Sequence, residues 1–258
     1  MNNLEALNQY DVESAENIIR MSADKSVRSA SQDWINLTGP YKYVYNWKWL
    51  GRPIIQLPAD VLLTQELIYR FKPDIIVETG VARGGSIVFN ASQLAMLDLC
   101  EKQFCDIRKN SRFCIGIDID IRDHNRQGVQ EHPFSPMIRL VEGSSIDVST
   151  IDSVKSMIPD SSKVMVILDS NHTHSHVSAE LELFSDIVTP GMPLIVHDTG
   201  IEYAPPELFL NRDWAKSDNP MTAVDQFLTE SPHFERLDNE NRKLLITSSP
   251  LGYLRRIR

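Results

Sequence analysis

Five short apolar runs recur along the chain, and each is followed by a segment long enough to form a helix. The runs cover residues 75–77, 113–119, 137–141, 163–168 and 194–196. Strands that are apolar on both faces are typical of parallel sheets with helices on both sides. The repeated alternation therefore predicts an α/β fold with a doubly wound, mostly parallel sheet.

The segments beside these strands carry apolar residues at helical spacing. Helices are predicted at residues 60–71, 86–99, 149–158, 176–188 and 221–228. Asp60 and Ser149 stand where side chains that cap a helix N-terminus are preferred. Pro73 follows the first of these helices and ends it. Each predicted helix would pack on one face of the sheet.

The end of the chain departs from this alternation. Residues 234–237 and 243–247 flank a cluster of turn-forming residues at 238–241. Two strands so close in sequence, with no helix between them, are predicted to form an antiparallel hairpin. A parallel sheet with a terminal antiparallel strand is the Rossmann-like arrangement of class I methyltransferases. This ending favours methyl transfer over hydride transfer.

Composition excludes several classes of protein. The chain has 258 residues, enough for one large α/β domain, and a formal net charge of −9. That charge argues against a nucleic-acid partner or an anionic membrane surface, since both need a concentrated basic face. The cysteines have no CxxC spacing, so neither a disulfide framework nor a structural zinc site is expected. We see neither a signal peptide nor a membrane span, and expect a cytoplasmic protein.

Residues 1–50 are interpreted as an N-terminal extension of a main domain that covers residues 51–258. The extension is polar at first and then crowded with aromatic side chains that follow no regular period: Trp34, Tyr41, Tyr43, Tyr45, Trp47 and Trp49. Its simplest role is packing on the main domain or on a partner subunit, which favours a homo-oligomer. The alternative is an aromatic wall that faces the substrate.

Polar residues follow all five predicted strands. In a parallel sheet the carboxyl ends of the strands share one edge, and ligands bind there. An unpaired buried carboxylate is costly, so this concentration of acids indicates a binding site rather than a structural need. The residues at this edge are Glu78, Thr79 and Gly80, then Asp118, then Ser144 and Ser145, then Asp169, and finally His197 and Asp198.

The first of these turns runs from Glu78 to Ser86. Gly80 would allow a sharp turn, and Gly84 and Gly85 would let a ligand approach the backbone at the start of a helix. The glycine spacing is not that of a dinucleotide fingerprint or a P-loop. Glu78 could instead receive the ammonium group of a methionine moiety. The alternative is a tight strand–helix turn without a ligand.

The next strand ends complete a nucleoside site. Asp118 could accept both ribose hydroxyls, with Asp120 as the second choice, or could serve only as a helix cap. Ser144 and Ser145 would border an adenine ring, with Asp147 near its amino group. Taken in order, these residues predict S-adenosylmethionine as the cofactor.

The last two strand ends predict the chemistry. Asp169 and Asp198 on neighbouring strands could hold a divalent cation through oxygen ligands, and the cation would lower the pKa of a bound substrate hydroxyl. His172 could then take the hydroxyl proton as general base, unless it is only a structural histidine of the turn. His174 and His176 lie nearby without cysteines or a second spaced pair, so zinc is not expected.

Several stretches resemble the cephalosporin hydroxylase family over about residues 45–256. Despite its name, this family is similar in fold to S-adenosylmethionine-dependent methyltransferases and includes enzymes that methylate macrolide sugars. The stretch from Asp169 to His174 is the more specific part of the resemblance. The matching stretches are residues 77–86, 116–126, 168–174, 197–199 and 250–254.

The resemblance implies a magnesium site and a general base. Asp169 and Asp198 match two carboxylates that hold the metal, and His172 matches the base. The sugar methyltransferases of the family carry a glutamate just before the second aspartate, where this chain has His197. Imidazole is a softer ligand, so Mn²⁺ or another transition metal would be preferred, unless His197 is no ligand at all.

The sequence therefore predicts an O-methyltransferase that acts on a hydroxyl of a sugar or related polyol, carried by a small molecule or a glycan. The first alternative is an oxidoreductase with a mononuclear iron held by His172, His197 and one aspartate. The second alternative is a non-catalytic member of the fold.

Overall fold

The computed structural model describes residues 3–258, with side chains from residue 7 onward. The predictions that begin at Met1, on a signal peptide and on the start of the extension, lie in part outside the described residues. The strands are β1 (Trp47–Trp49), β2 (Arg52–Ile54), β3 (Ile75–Thr79), β4 (Phe113–Asp118), β5 (Ile138–Glu142), β6 (Val164–Leu168), β7 (Pro193–Val196), β8 (Phe234–Arg236) and β9 (Tyr253–Arg256). The helices are α1 (Asn3–Ala23), α2 (Lys25–Thr38), α3 (Pro58–Phe71), α4 (Gly85–Lys102), α5 (Asp123–Gln130), α6 (Val148–Met157), α7 (His174–Ser185), α8 (Pro220–Glu230) and α9 (Asp238–Lys243).

Seven strands form one sheet in the order β5-β4-β3-β6-β7-β9-β8. Strands β3 to β7 are parallel, and β9 runs antiparallel to both of its neighbours. The predicted α/β fold is confirmed, with the antiparallel strand lying between β7 and the edge strand β8. A separate two-stranded sheet pairs β1 with β2.

Alternate residues of each central strand enter opposite halves of the core. Ile115 and Val166 belong to the apolar cluster that includes residues of α6, α7 and α8. Cys114 and Met165 belong to the cluster that includes residues of α3 and α4. Successive side chains of a strand point to opposite faces, so a strand apolar at every position needs helices on both sides. This is the physical origin of the doubly wound arrangement.

The predicted hairpin was wrong in its second strand. Strand β8 pairs with β9, not with residues 243–247, and α9 occupies the predicted turn. Acidic residues in the first turn of α9 and basic residues in its last turn favour a short helix there. Asn241 then joins this helix to the sheet by donating to the backbone carbonyls of Leu237 and Tyr253, both at 2.9 Å.

Two predicted helix caps were also wrong. Helix α3 begins at Pro58 after Leu57, and Asp60 is buried inside its first turn. Its carboxylate accepts hydrogen bonds from the Ser248 backbone nitrogen and the Tyr253 hydroxyl, both at 3.0 Å, instead of capping the helix. Ser149 lies within α6 and does not cap it. Asp60 therefore bonds to the C-terminal segment and not to the start of its own helix, as its local sequence had suggested.

The N-terminal region contains two helices, α1 and α2, which the sequence analysis did not predict. Aromatic side chains of α2 and of the segment after it pack on one another and on the main domain. Tyr43 makes edge contacts with Trp34 and Trp47 at 4.8 and 5.5 Å between ring centroids. Trp49 donates to the Ser92 hydroxyl at 2.9 Å. No helix in the described part of the chain is long and apolar enough to cross a membrane.

The hairpin formed by β1 and β2 spans the boundary placed between residues 50 and 51. Trp49 is paired with Arg52 across it. The Arg52 guanidinium reaches the main domain, where its Nε donates to the backbone carbonyl of Arg83 at 3.1 Å. The hairpin thereby joins the N-terminal region to the turn that follows β3. The division at residue 50 stays a prediction.

Candidate active site

The carboxyl ends of the parallel strands meet at one edge of the sheet. Thr79 at the end of β3 is in register with Ile117 and with Leu168, and Leu168 is in register with Val196. A cavity of about 860 Å³ opens beside this edge. Five of the residues predicted for the site line it: Gly80, Ser86, Asp169, His172 and Asp198.

The turn after β3 depends on glycine at position 80. Gly80 has a left-handed φ of 85°, and a Cβ atom there would lie 1.9 Å from the carbonyl oxygen of Asp169. Gly84 and Gly85 were expected to admit a ligand, but the chain itself fills much of that space. A Cβ at Gly84 would lie 2.3 Å from the Val129 side chain, and one at Gly85 would lie 2.1 Å from the Pro53 carbonyl oxygen.

Glu78 is buried, at 1% exposure, and does not line the cavity. Its carboxylate accepts hydrogen bonds from the Ser86 hydroxyl and, at 2.7 Å, from the Asn90 amide. Burial raises the pKa of Glu78 to about 7, against the two hydrogen bonds, which lower it. Ser86 lines the cavity, so any link between Glu78 and a ligand in it would run through that hydroxyl. Thr79 is fully buried, and its Oγ1 accepts from the Asp169 backbone nitrogen at 3.2 Å.

Asp118 supports the same turn from the end of β4. Its Oδ2 accepts a hydrogen bond at 2.9 Å from the backbone nitrogen of Ala82, a residue with an unusual left-handed φ of 45°. Its Oδ1 accepts from the backbone nitrogen of Asp120 at 3.2 Å. Both nitrogens lie in loops, and α5 begins at Asp123 after Arg122, so Asp118 does not act as a helix cap. Ser145 is buried and lies 3.0 Å from Nε2 of His176, while Ser144 is half-buried.

Asp169, His172 and Asp198 form a compact group at the ends of β6 and β7. One ligand atom from each lies within 4.8 Å of the others. Nε2 of His172 is 3.2 Å from Oδ2 of Asp198. Burial raises the pKa of Asp169 well above its usual range, and the charges of Asp198 and Glu78 raise it further. A divalent cation would offset this repulsion, so the two carboxylates fit a metal, and the imidazole of His172 lies beside them.

His197 lies apart from this group, contrary to the prediction that it could be a metal ligand. Its ring is 2% exposed, with Nδ1 2.7 Å from the Ser249 hydroxyl and Nε2 3.3 Å from Nε2 of Gln56. Burial lowers its pKa to about 4, which keeps the ring neutral. The group at the cavity has one imidazole and two carboxylates. This set lacks the second imidazole that an iron site of the oxidoreductase alternative needs.

The other histidines of the turn have separate partners. The ring of His174 lies 2.8 Å from the Thr222 hydroxyl and 3.1 Å from the Gln226 side-chain oxygen. His176 was expected to start or cap the helix. The helix begins at His174, and Thr173 is its cap. The His174 ring thus contacts two side chains of α8, and the His176 ring contacts the Ser145 hydroxyl.

Two cavity residues were missed by the sequence analysis in their present roles. Gln56 is 6% exposed, and its Nε2 lies 3.3 Å from Nε2 of His197; its only signal in the sequence is a polar residue between Ile55 and Leu57. The ring of Trp214, in the loop after β7, packs edge-on against His172 at 4.7 Å between ring centroids. Neither contact follows from spacing along the chain.

The strand order, the antiparallel β9 and the cavity at the carboxyl edge define a class I methyltransferase. Residues 41–257 match the family described as rhamnosyl O-methyltransferase/CmcI, and the chain belongs to that family. The resemblance noted from the sequence is confirmed. The family and its relatives make the chain an S-adenosylmethionine-dependent O-methyltransferase.

The chain is similar to named O-methyltransferases and to a solved structure of the same fold. The chain is 25% identical over 200 residues to the rhamnosyl O-methyltransferase of Mycobacterium tuberculosis (strain H37Rv), covering 76% of this chain and 72% of that protein. It is 24% identical over 208 residues to the enzyme of the same name from Mycobacterium leprae (strain TN), covering 80% and 81%. The solved structure named cmcI-D160 Mg-SAM shares the fold, with a TM-score of 0.55, 17% identity and coverage of 83% and 78%.

Proposed function

We propose that the protein transfers a methyl group from S-adenosylmethionine to a hydroxyl of a sugar or related polyol, with assistance from Mg²⁺ or Mn²⁺. The observation that carries the proposal is that one cavity contains both the turn after β3 and the group of Asp169, His172 and Asp198. The turn fits a cofactor, and the group of three side chains fits the acceptor hydroxyl and the proton that it loses. The relatives named as rhamnosyl O-methyltransferases support a sugar acceptor.

The cofactor would bind along the carboxyl ends of β3, β4 and β5. Ser86, whose hydroxyl donates to Glu78, would meet the methionine ammonium group at the start of α4. Asp118 has acceptor capacity left for ribose hydroxyls after its two backbone contacts. Ser144 and Ser145 would border the adenine. The backbone on which the cofactor would lie is shaped by Thr79, Gly80 and Gly84.

The reaction needs one proton acceptor and one leaving group. The acceptor oxygen forms a bond to the methyl carbon as the carbon–sulfur bond breaks, and the hydroxyl proton passes to His172. Because Oδ2 of Asp198 lies beside Nε2 of His172, Nε2 keeps its hydrogen and Nδ1 is the atom that accepts the proton. Asp169 and Asp198 would hold the metal, which supplies positive charge that lowers the pKa of the acceptor hydroxyl.

Aromatic side chains from two regions line the cavity. They come from the N-terminal region and from the loop after β7, and they are Trp34, Tyr43, Tyr45, Phe209 and Trp214. Flat aromatic faces suit the apolar face of a sugar ring. This supports the alternative in which the aromatic stretch of residues 1–50 faces the substrate, whether the acceptor is a small molecule or a glycan.

Two further proposals concern the state of the protein. We infer a homo-oligomer, because the N-terminal helices expose large apolar side chains such as Leu7, Tyr10 and Val12. Sedimentation at several concentrations tests it, and a monomer throughout would contradict it.

We also infer a cytoplasmic location, since all three cysteines are free thiols. Fractionation of the producing cells tests that inference, and recovery outside the cytoplasm would contradict it.

Methyl transfer can be tested with defined acceptors. The purified protein is incubated with S-adenosylmethionine and phenyl α-L-rhamnoside or another phenyl glycoside, with Mg²⁺, with Mn²⁺ or with a chelator, and the product is identified by mass spectrometry. We expect metal-dependent addition of one methyl group. Asp169→Asn and His172→Ala should each lower the rate of transfer by about 100-fold or more and leave adenosylhomocysteine binding largely intact. Full activity in both variants would contradict the mechanism.

A further inference from the structure

Four side chains form a hydrogen-bonded cluster between the carboxyl ends of β5 and β6 and the helix α7. Nε2 of His176 lies 3.0 Å from the Ser145 hydroxyl and 3.2 Å from the Ser170 hydroxyl. The Ser170 hydroxyl donates to Oε1 of Glu180 at 2.7 Å. Ser170 lines the cavity, and Ser145 lies in the turn after β5, beside the proposed adenine site. One imidazole thus contacts hydroxyls that follow two different strands of the carboxyl edge.

Glu180 sets the direction of the hydrogen bonds in this cluster. Its side chain is fully buried, and its Oε2 has no hydrogen-bond partner in the described part of the chain. An ionised carboxylate only accepts hydrogen bonds, and its burial is costly unless donors or a positive charge face it. The single hydrogen of the Ser170 hydroxyl is therefore committed to Glu180.

The position of the hydrogen on His176 follows from this commitment. Since the Ser170 hydroxyl donates to Glu180, its oxygen can only accept from Nε2 of His176. Nε2 also lies 3.7 Å from Oε1 of Glu180, and a negative charge favours a hydrogen on the nitrogen that faces it. Nε2 therefore carries a hydrogen, whether the ring is neutral or charged. The Ser145 oxygen accepts from the same nitrogen, which leaves the Ser145 hydrogen for another acceptor.

We propose that His176 is a positioning residue of the cofactor site, which orients Ser145 so that its hydroxyl donates a hydrogen bond to a ring nitrogen of the adenine. Adenine presents acceptors at its ring nitrogens and donors at its amino group, so a donating hydroxyl selects a ring nitrogen. Hydrogen-bonded networks of this kind hold each member in one arrangement. The inference rests on the proposed function, because it names a contact that the cofactor makes.

His176→Leu tests the inference, since it removes the donor and keeps a side chain of similar bulk. His176→Gln is the conservative variant, because its amide nitrogen can donate from about the position of Nε2. His174→Leu is the matched control: it lies in the same turn of α7, but its ring contacts Thr222 and Gln226. Each protein is assayed for the Kd of adenosylhomocysteine by calorimetry, and for kcat and the KM of S-adenosylmethionine with phenyl α-L-rhamnoside as the acceptor.

We expect His176→Leu to raise the Kd of adenosylhomocysteine and the KM of S-adenosylmethionine by about 3- to 10-fold, the usual effect of one hydrogen bond. The value of kcat should stay close to that of the wild type, because the cluster takes no part in proton transfer. His176→Gln should recover most of the loss, and His174→Leu should bind the cofactor as the wild type does. Equal losses in His176→Leu and His174→Leu, or a fall in kcat alone, would overturn the inference.

Analogues of adenosylhomocysteine test the direction of the bond from Ser145. The 1-deaza, 3-deaza and 7-deaza compounds each replace one ring nitrogen by a CH group, which cannot accept a hydrogen bond. For one of the three, the wild type should bind about 3- to 10-fold more weakly than it binds the parent compound, and Ser145→Ala should show no such difference. A wild type that binds all three as tightly as the parent, or a Ser145→Ala variant that keeps every preference of the wild type, would contradict a donated bond.

The double variant shows whether His176 acts through Ser145. Once Ser145→Ala has removed the hydroxyl, adding His176→Leu should weaken adenosylhomocysteine binding no further. Additive losses would mean that the two side chains act separately, which contradicts the inference. If His176→Leu does not fold, Ser145→Ala and the deaza compounds decide, since they leave the His176 ring in place.

The outcomes also separate this inference from the proposed function. A wild-type protein that does not bind adenosylhomocysteine would overturn the proposed function and the inference with it. A wild type that binds the cofactor and methylates the rhamnoside, together with unchanged cofactor affinity in His176→Leu and Ser145→Ala, would overturn the inference alone.

Discussion

Nε2 of His172 lies 3.2 Å from Oδ2 of Asp198, although the two residues belong to loops after different strands. Asp198 has a left-handed φ of 58°, a backbone conformation that is uncommon outside glycine and is often found at functional sites. The edge of the Trp214 ring contacts His172 as well. The imidazole is thus held by a carboxylate and by an aromatic ring, at the wall of the cavity.

His172→Ala should lower kcat by about 100- to 10,000-fold, the usual contribution of a general base. If His172 is the base and not a metal ligand, the Kd of Mn²⁺ should change little in the same variant. Steady-state kinetics and Mn²⁺ titration measure the two effects. The control is His174→Ala, which removes a ring bonded to Thr222 and Gln226 and should lower only stability. A kcat loss in His174→Ala as large as that in His172→Ala would contradict the assignment.

Glu78→Gln should make the stability of the protein less dependent on pH. The pKa of Glu78 is about 7 in the folded protein against an ordinary value of 4.5. The folded state therefore keeps its proton at a higher pH than the unfolded state. Its favourable contribution is fully present below about pH 4.5 and is lost as the pH rises through 7.

We therefore expect the free energy of unfolding to fall between pH 5 and pH 8 by about 3 kcal/mol more in the wild type than in Glu78→Gln. Urea denaturation at both pH values measures the difference. Glu182→Gln, at an exposed position on α7, is the control and should follow the wild type. Parallel pH profiles for the wild type and Glu78→Gln would show that burial does not raise the pKa of Glu78.

Gly80→Ala should destabilise the protein more than Gly191→Ala. The two glycines have nearly the same φ, 85° and 89°, so the conformational strain of an alanine is similar. A Cβ at Gly80 would lie 1.9 Å from the Asp169 carbonyl oxygen, whereas a Cβ at Gly191 meets no atom within 4 Å. We expect a loss of about 1 kcal/mol for Gly191→Ala, from strain alone. The loss for Gly80→Ala should be several times larger in thermal or urea denaturation, and equal losses would contradict the close approach.

Asp98→Ala should remove a buried ion pair that joins α4 to β4. Asp98 is 1% exposed and pairs with Arg112, which is 7% exposed and also contacts Glu101 at 2.7 Å. Leaving the Arg112 charge without this partner should cost about 3–5 kcal/mol. The exposed pair of Lys243 and Glu66 is the control, and Glu66→Ala should cost about 0–1 kcal/mol. Similar losses in both variants would contradict the distinction.

Local patterns were sufficient for the part of the fold that depends on neighbours in sequence. The apolar runs at β3 and β6 are buried on both faces, so their composition alone required a sheet covered on both sides. The same topology fixed the shared edge at which Gly80, Asp169 and Asp198 meet. Contacts between residues far apart in the sequence could not be predicted from these patterns. Asp60 was predicted to cap a helix, but its carboxylate accepts hydrogen bonds from the C-terminal segment.

The sequence by itself determined the class of fold and the edge of the sheet at which Asp169 and Asp198 meet, because strand burial and chain direction follow from local composition. Only the tertiary structure showed which of the two histidines, His172 or His197, lies beside Asp198 at the cavity. Both follow a strand, but His172 faces Asp198 at the cavity, while Ser249 and Gln56 hold His197 in the interior. Those partners lie 52 and 141 residues away along the chain, and no periodicity records a contact made across such distances.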